Sequence, residues 1–173
     1  MNLLESFKPV TTLVFDIDGV LTNGSIFVFE NGEQVRQMSI RDGYALQLAL
    51  KKNYNLVVIS GANGIGAAVR LQKLGITQVL LNVKDKAAVL EDFLIKNNLS
   101  WAETLYMGDD IPDFLPMKKA GMPCAPADAA PEILQVARYI SPMGGGKGCV
   151  RDVIEKLLRL HGKWELESNI PSR

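Results

Sequence analysis

The stretch TTLVFDIDGVLT, residues 11–22, decides how this chain is read. Its first five residues are apolar or β-branched without interruption, the pattern of a strand buried on both faces of a parallel sheet. It then delivers two aspartates, Asp16 and Asp18, and a glycine, Gly19. In open α/β sheets, ligands sit just beyond the carboxyl ends of the strands, so this is where chemistry is to be sought.

Working outward, three further runs have the same character: NLVVIS (55–60), TQVLL (77–81) and TLYMG (104–108), with a weaker one at MPCAP (122–126). Between them lie DGYALQLALKK (42–52), GAAVRLQKLG (66–75) and DKAAVLEDFLIKNN (85–98), whose apolar residues recur at helical spacing. Gly75 and Asn98 are their expected stop signals. Strand and helix alternating in this way predict a three-layer, Rossmann-like α/β domain with a mostly parallel sheet. Residues 24–40 break the alternation: GSIFVFENGEQVRQMSI reads as two short strands around Asn31-Gly32, a small β-hairpin insert after the first strand. After Ile140 a glycine-rich segment, SPMGGGKG, predicts a flexible loop leading to a last helix from about 150 to 161, and the end of the tail is expected to fray.

At 173 residues the chain is expected to form one domain with a full core. Lysine plus arginine and aspartate plus glutamate both number 19, so no net field draws the chain to nucleic acid or an acidic membrane, and neither is an expected partner. The N-terminal segment has no signal-peptide pattern and no apolar run is long enough to span a bilayer, which predicts a cytoplasmic protein. Cys124 and Cys149 form no CxxC pair and read as buried thiols of a reducing compartment.

The ends of the other strands are as polar as the first. After the second come Ser60 and Gly61; near the third, Lys84, Asp85 and Lys86; after the fourth, GDDIPD with Asp109, Asp110 and Asp113. Clustered carboxylates repel one another unless a cation sits among them, and hard oxygen donors with no histidine or cysteine nearby favour Mg²⁺. With such an ion, one aspartate can stay ionised as a nucleophile toward phosphorus while a lysine offsets the charge of the transferring group. Lys86 is preferred to Lys84 because it opens a helix. Read alone, Ser60 would be a helix N-cap, a role compatible with phosphate binding.

The order D-x-D-G-V-L-T, strand-terminal Ser, Lys, then G-D-D-x-x-D resembles the haloacid dehalogenase superfamily of phosphotransferases, over residues 11 to about 150. The resemblance implies Asp16 as nucleophile and metal ligand, and Asp18 as acid and base with its carbonyl on the metal. It implies Ser60 on the phosphoryl oxygens, Lys86 beside the nucleophile, Asp109 completing the metal shell, and Asp110 and Asp113 in support.

Within that superfamily the chain resembles the 3-deoxy-D-manno-octulosonate 8-phosphate (KDO 8-phosphate) phosphatases and their nine-carbon relatives. The resemblance rests on the hairpin in place of a large cap, SIRDGYAL (39–46), the VKDK lysine, and the glycine-rich tail running into GCVRDV. It implies a homotetramer assembled through the hairpins, acting on a small sugar phosphate. It further implies that Ser39, Ile40, Arg41, Asp42, Gly43, Gly61 and Arg70 bind substrate together with Asp18 and Lys86. The pattern departs at Gly61-Ala62, where the octulosonate enzymes have Arg and the nine-carbon enzymes Glu, while Lys73 matches the nine-carbon type. KDO 8-phosphate is the expected substrate, with KDN 9-phosphate and N-acetylneuraminate 9-phosphate as alternatives.

Two other classes compete. SGANGIGAAV suggests a dinucleotide-binding oxidoreductase, but Gly61, Gly64 and Gly66 do not reproduce G-x-G-x-x-G and the segment follows the second strand. MGGGKG lacks the phosphate-loop pattern, with Ser141 where its first glycine belongs and Gly148 after Lys147. A non-catalytic subunit is disfavoured by the complete set of catalytic residue types.

Overall fold

The structure, a computed structural model, describes residues 3–171. In chain order it runs α1 (Leu3–Phe7), β1 (Thr12–Phe15), an irregular turn at Ile17–Leu21, β2 (Phe27–Val28), β3 (Gln34–Val35), α2 (Ile40–Lys51), β4 (Asn55–Ile59), α3 (Ile65–Lys73) and β5 (Gln78–Leu80). There follow α4 (Lys86–Lys96), β6 (Thr104–Met107), α5 (Phe114–Lys119), β7 (Met122–Ala125), α6 (Pro131–Val136), β8 (Tyr139–Ile140) and α7 (Cys149–Leu160).

Six strands form one sheet in the order β5-β4-β1-β6-β7-β8, and every pair in it is parallel. Strand side chains alternate across it. On β1, β4 and β6, Leu13, Phe15, Leu56, Val58, Leu105 and Met107 join one core with residues of α2, α3 and α7. Val14, Val57, Ile59 and Tyr106 join a second core with residues of α4, α5 and α6. The three-layer prediction is therefore correct, and the continuous apolar runs have their cause: each central strand faces two cores. Each fully buried Leu, Val or Phe contributes about 1.5–3 kcal/mol relative to exposure.

From β1 the chain first builds β4 and β5 on one side, then crosses back to place β6 on the other. The crevice at the ends of β1 and β6 is thus a topological switch point. Asp16 is anchored there, its backbone N–H donating to the Met107 carbonyl at 3.1 Å.

Gly75 and Asn98 adopt left-handed conformations where their helices stop, as predicted. The predicted hairpin is present as a separate two-stranded antiparallel sheet. The Gly32 N–H donates to the Phe29 carbonyl and the Phe29 N–H to the Glu33 carbonyl, so Gly32 closes a three-residue loop. Helices α1, α5 and α6 and strand β8 escape sequence reading because two to six residues are too short to show a period.

The glycine-rich segment is held by hydrogen bonds along its length, Ser141 and Met143 pairing with the backbone of Ala125 and Ala127. The Gly145 N–H donates to Asp128 Oδ1 at 2.8 Å and the Gly146 N–H to the Val20 carbonyl at 2.9 Å. The residues after α7 also have partners: Trp164 packs edge-on against Tyr44, and Glu165 and Glu167 pair with Lys52 and Lys51. A Cβ on Gly145 would stand 2.0 Å from the Gly19 carbonyl oxygen, so the tail can approach the DxDG turn only because no side chain intervenes. Gly145→Ala is expected to destabilise the protein by about 1–3 kcal/mol through this overlap, measured by urea denaturation.

Candidate active site

The sheet gathers the strand-terminal residues into one cavity of about 260 Å³. It is lined by Asp16, Asp18, Gly24, Ser60, Gly61, Ala62, Lys86, Asp109, Asp110, Pro112 and Asp113. Among the described residues a larger cavity, of about 480 Å³, lies around Arg41 and Arg151, and the buried Lys86 does not line it.

At its floor lies a buried charge network. Lys86 Nζ is 3.0 Å from Asp16 Oδ1 and donates to Asp113 Oδ1 at 2.7 Å. Tyr106 Oη also donates to Asp113 Oδ1, at 2.6 Å, and the Asp109 N–H donates to Asp113 Oδ2 at 3.2 Å. Both oxygens of Asp113 are therefore engaged, and its work is to hold Lys86 and the Asp109 backbone. Burial disfavours the lysine's charge, but Asp113 and Asp16 outweigh it and push the Lys86 pKa up. Lys84, the competing lysine, is exposed.

The carboxylates are crowded in the opposite sense. Burial first, then the charge of Asp113, pushes the Asp16 carboxyl up to about 8, despite Lys86 and the Ile17 N–H favouring its ionised form. Burial, then Asp113 and Asp110, pushes Asp109 up to about 7. Oxygens of Asp16, Asp109 and Asp113 lie within 4.8 Å of one another, and Asp109 Oδ1 is buried without a hydrogen-bond partner. An oxygen cluster with an unsatisfied acceptor fits a hard cation such as Mg²⁺, and with Asp113 already engaged, Asp16 and Asp109 are the side chains best placed to hold one. Gly19 is required beside them: with φ of 86°, it would put a Cβ 1.9 Å from Asp109 Oδ2.

Ser60 is buried at the end of β4 and its Oγ accepts from the Ala62 N–H at 3.2 Å. It is not a helix N-cap, since α3 begins only at Ile65 behind Gly64. Asp110 is exposed and accepts from the Ile111 N–H at 2.8 Å.

The predicted substrate segment lies outside this cavity. Ser39 caps α2 by accepting from the Asp42 N–H, Ile40 is exposed, and Arg41 lines the separate cavity beside Lys147 and Arg151. Asp42 is buried and accepts from the Arg151 N–H at 2.8 Å in the first turn of α7, so within one chain it ties α2 to the tail. Gly43 packs against Arg70, whose Nε and Nη2 are buried without partners and which lines a cavity of about 470 Å³ with Arg36, Met38 and Ile40.

Sequence reasoning missed Arg36 and Tyr106. Arg36 makes a two-point contact with Asp18, Nε to Oδ1 at 2.6 Å and Nη2 to Oδ2 at 3.1 Å. Nothing in the hairpin's pattern marks it. Tyr106 carried a signal, because a tyrosine in an otherwise apolar buried strand needs a partner for its hydroxyl.

Against known proteins, no protein-family model matches. The chain is 34% identical over 162 residues to the 3-deoxy-D-manno-octulosonate 8-phosphate phosphatase KdsC of Escherichia coli K12, covering 94% of this chain and 86% of that protein. It is 30% identical over 164 residues to KdsC of Yersinia pestis, covering 95% and 88%. Among solved structures it superposes, with a TM-score of 0.88 and 26% identity over 91% of each chain, on the Moraxella catarrhalis 3-deoxy-D-manno-octulosonate 8-phosphate phosphatase in complex with magnesium, phosphate and KDO. Fold, site and relatives together define a phosphatase, a phosphoric monoester hydrolase. The chain belongs to the KDO 8-phosphate phosphatase family of the haloacid dehalogenase superfamily.

The raised carboxyls set the pH dependence of cation binding. Below about 7 to 8, Asp109 and Asp16 hold protons that a cation must displace, so Mg²⁺ affinity is expected to rise with pH through that range, with proton release. Titration calorimetry in buffers of different ionisation enthalpy measures both; pH-independent affinity without proton release would contradict it.

Proposed function

We propose that this phosphatase hydrolyses KDO 8-phosphate to KDO and inorganic phosphate through a phosphoaspartate on Asp16, in the cytoplasm. The observation that carries the reading is the Asp16 carboxylate at the floor of a pocket, with the ammonium of Lys86 3.0 Å away and acids from a second strand end beside it. The relative bound to magnesium, phosphate and KDO supports the sugar and the ion. Two buried free thiols suit a reducing compartment, and no helix among the described residues is long and apolar enough to cross a membrane.

In this reading Asp16, Asp109 and the Asp18 carbonyl would hold Mg²⁺, which when bound would offset negative charge at the phosphoryl group. Asp16 attacks phosphorus as the ester P–O bond breaks, and Asp18 gives its proton to the departing sugar oxygen. A water molecule then attacks the phosphoaspartate, returning a proton to Asp18 and releasing phosphate and free Asp16. Lys86 holds the nucleophile's orientation and balances its charge, Asp113 fixes Lys86, and Ser60 binds a phosphoryl oxygen beside Gly61.

Arg70 supports an acidic sugar, because its two buried unpartnered donors suit a carboxylate. The substrate segment 39–43 acts across an assembly rather than within one chain. The hairpin leaves Phe27 69% and Val28 66% exposed beside Ile26, Phe29 and Val35, an apolar ribbon that association covers. Together with the family resemblance, this supports a homotetramer.

A panel of KDO 8-phosphate, KDN 9-phosphate, N-acetylneuraminate 9-phosphate and glucose 6-phosphate, assayed with and without Mg²⁺, tests the substrate. KDO 8-phosphate is expected to give the highest kcat/KM, and preference for a nine-carbon ester would shift the reading to the alternative that Ala62 and Lys73 leave open. Asp16→Asn should abolish turnover while keeping the fold by circular dichroism; near wild-type turnover would sink the mechanism. Light scattering should report about four chains per particle, and a fully active monomer would rule the assembly out.

A further inference from the structure

Arg36 sits at the base of the hairpin, and its side chain is 7% exposed while Asp18 is 33% exposed. A buried guanidinium is costly unless paired, so its choice of partner carries information. That partner is the carboxylate two residues beyond Asp16, gripped at both oxygens. Among the described residues, no other hydrogen bond is made by the Asp18 side chain.

An anchor for the hairpin would explain the pair without reference to chemistry. The hairpin base, however, is already closed by an antiparallel bridge between Thr22 and Met38. The pair also stands on a boundary: Asp18 lines the cavity of Asp16 and Lys86, whereas Arg36 lines the neighbouring cavity of about 470 Å³ with Arg70. A guanidinium fork fixes both the plane and the rotation of a carboxylate, which a lysine's point charge cannot do.

We propose that Arg36 is a positioning residue of the reaction: through its two-point contact it aims the Asp18 carboxyl for proton transfer to the departing sugar oxygen. The inference rests on the acid and base role assigned to Asp18 above and adds a hairpin residue to it. In the step concerned, the ester P–O bond breaks, its electron pair stays on the sugar oxygen, and that oxygen takes the proton from Asp18. Arg36 keeps its own protons throughout.

The test compares esters that differ in their need for that proton. A sugar alkoxide leaves poorly without one, whereas p-nitrophenolate leaves readily unaided. Arg36→Met should lower kcat on KDO 8-phosphate about tenfold or more with KM nearly unchanged, and lower kcat on p-nitrophenyl phosphate far less. Arg36→Lys should recover part of the loss, and it carries the same comparison if Arg36→Met does not fold. Equal fractional losses on both esters, or a change confined to KM, would overturn the proposal by reducing Arg36 to a structural or binding role. Asp18→Asn serves as the control and should show the same leaving-group dependence in stronger form. If it does not, the acid and base reading of Asp18 falls and the proposal with it; if it does while Arg36→Met shows none, the proposal alone falls.

Discussion

The ammonium of Lys86, buried between Asp16 at 3.0 Å and Asp113 at 2.7 Å, is the contact on which the site depends. Two buried acids with a half-buried third beside them cannot all carry charge without a cation, and a buried lysine cannot stay charged without acids. The chain meets both demands by drawing the groups from three places: Asp16 from the end of β1, Lys86 from the start of α4, and Asp113 from the turn before α5. Tyr106 adds a hydroxyl from within β6. The network is still short of positive charge: burial first, then the neighbouring acids, raise the Asp16 and Asp109 carboxyls despite Lys86, and one Asp109 oxygen has no partner. That deficit is the physical argument for a divalent cation.

Around this centre the fold brings backbone close where side chains would obstruct. Gly19 lets the DxDG turn lie against Asp109, and Gly145 lets the tail lie against Gly19. The tail is thereby coupled to the DxDG turn, and Asp42 couples it in turn to α2 through the first turn of α7. The hairpin reaches the same turn from the other side through Arg36. The tail and the hairpin thus meet one short loop directly, and α2 is linked to it only through the tail.

Most of the site was legible in the sequence because parallel α/β topology ties function to strand ends. The apolar runs located the central strands, and of the polar residues that follow them Asp16, Asp18, Ser60, Lys86, Asp109, Asp110 and Asp113 line a single cavity, while Lys84 and Asp85 do not. The segment 39–43 was legible as a motif but not as a place. Ser39 and Asp42 are occupied in capping helices within the chain, and the family resemblance that singled them out does not say which surface they serve. The same limit applied to Arg36, whose partner lies 18 residues away across a turn with no periodicity to relate them.

The sequence by itself determined the layer order, the identity of the strand-end acids and lysine, and the class of chemistry, because buried strands and conformationally special glycines leave signatures within a few residues. Only the tertiary structure decided which of these groups are joined. It placed Lys86 3.0 Å from Asp16, engaged both oxygens of Asp113 and left Asp109 with one free, and set Arg36 on Asp18. Those choices depend on distances between residues far apart in the chain and on how deeply each is withdrawn from water, and neither quantity is written in local pattern.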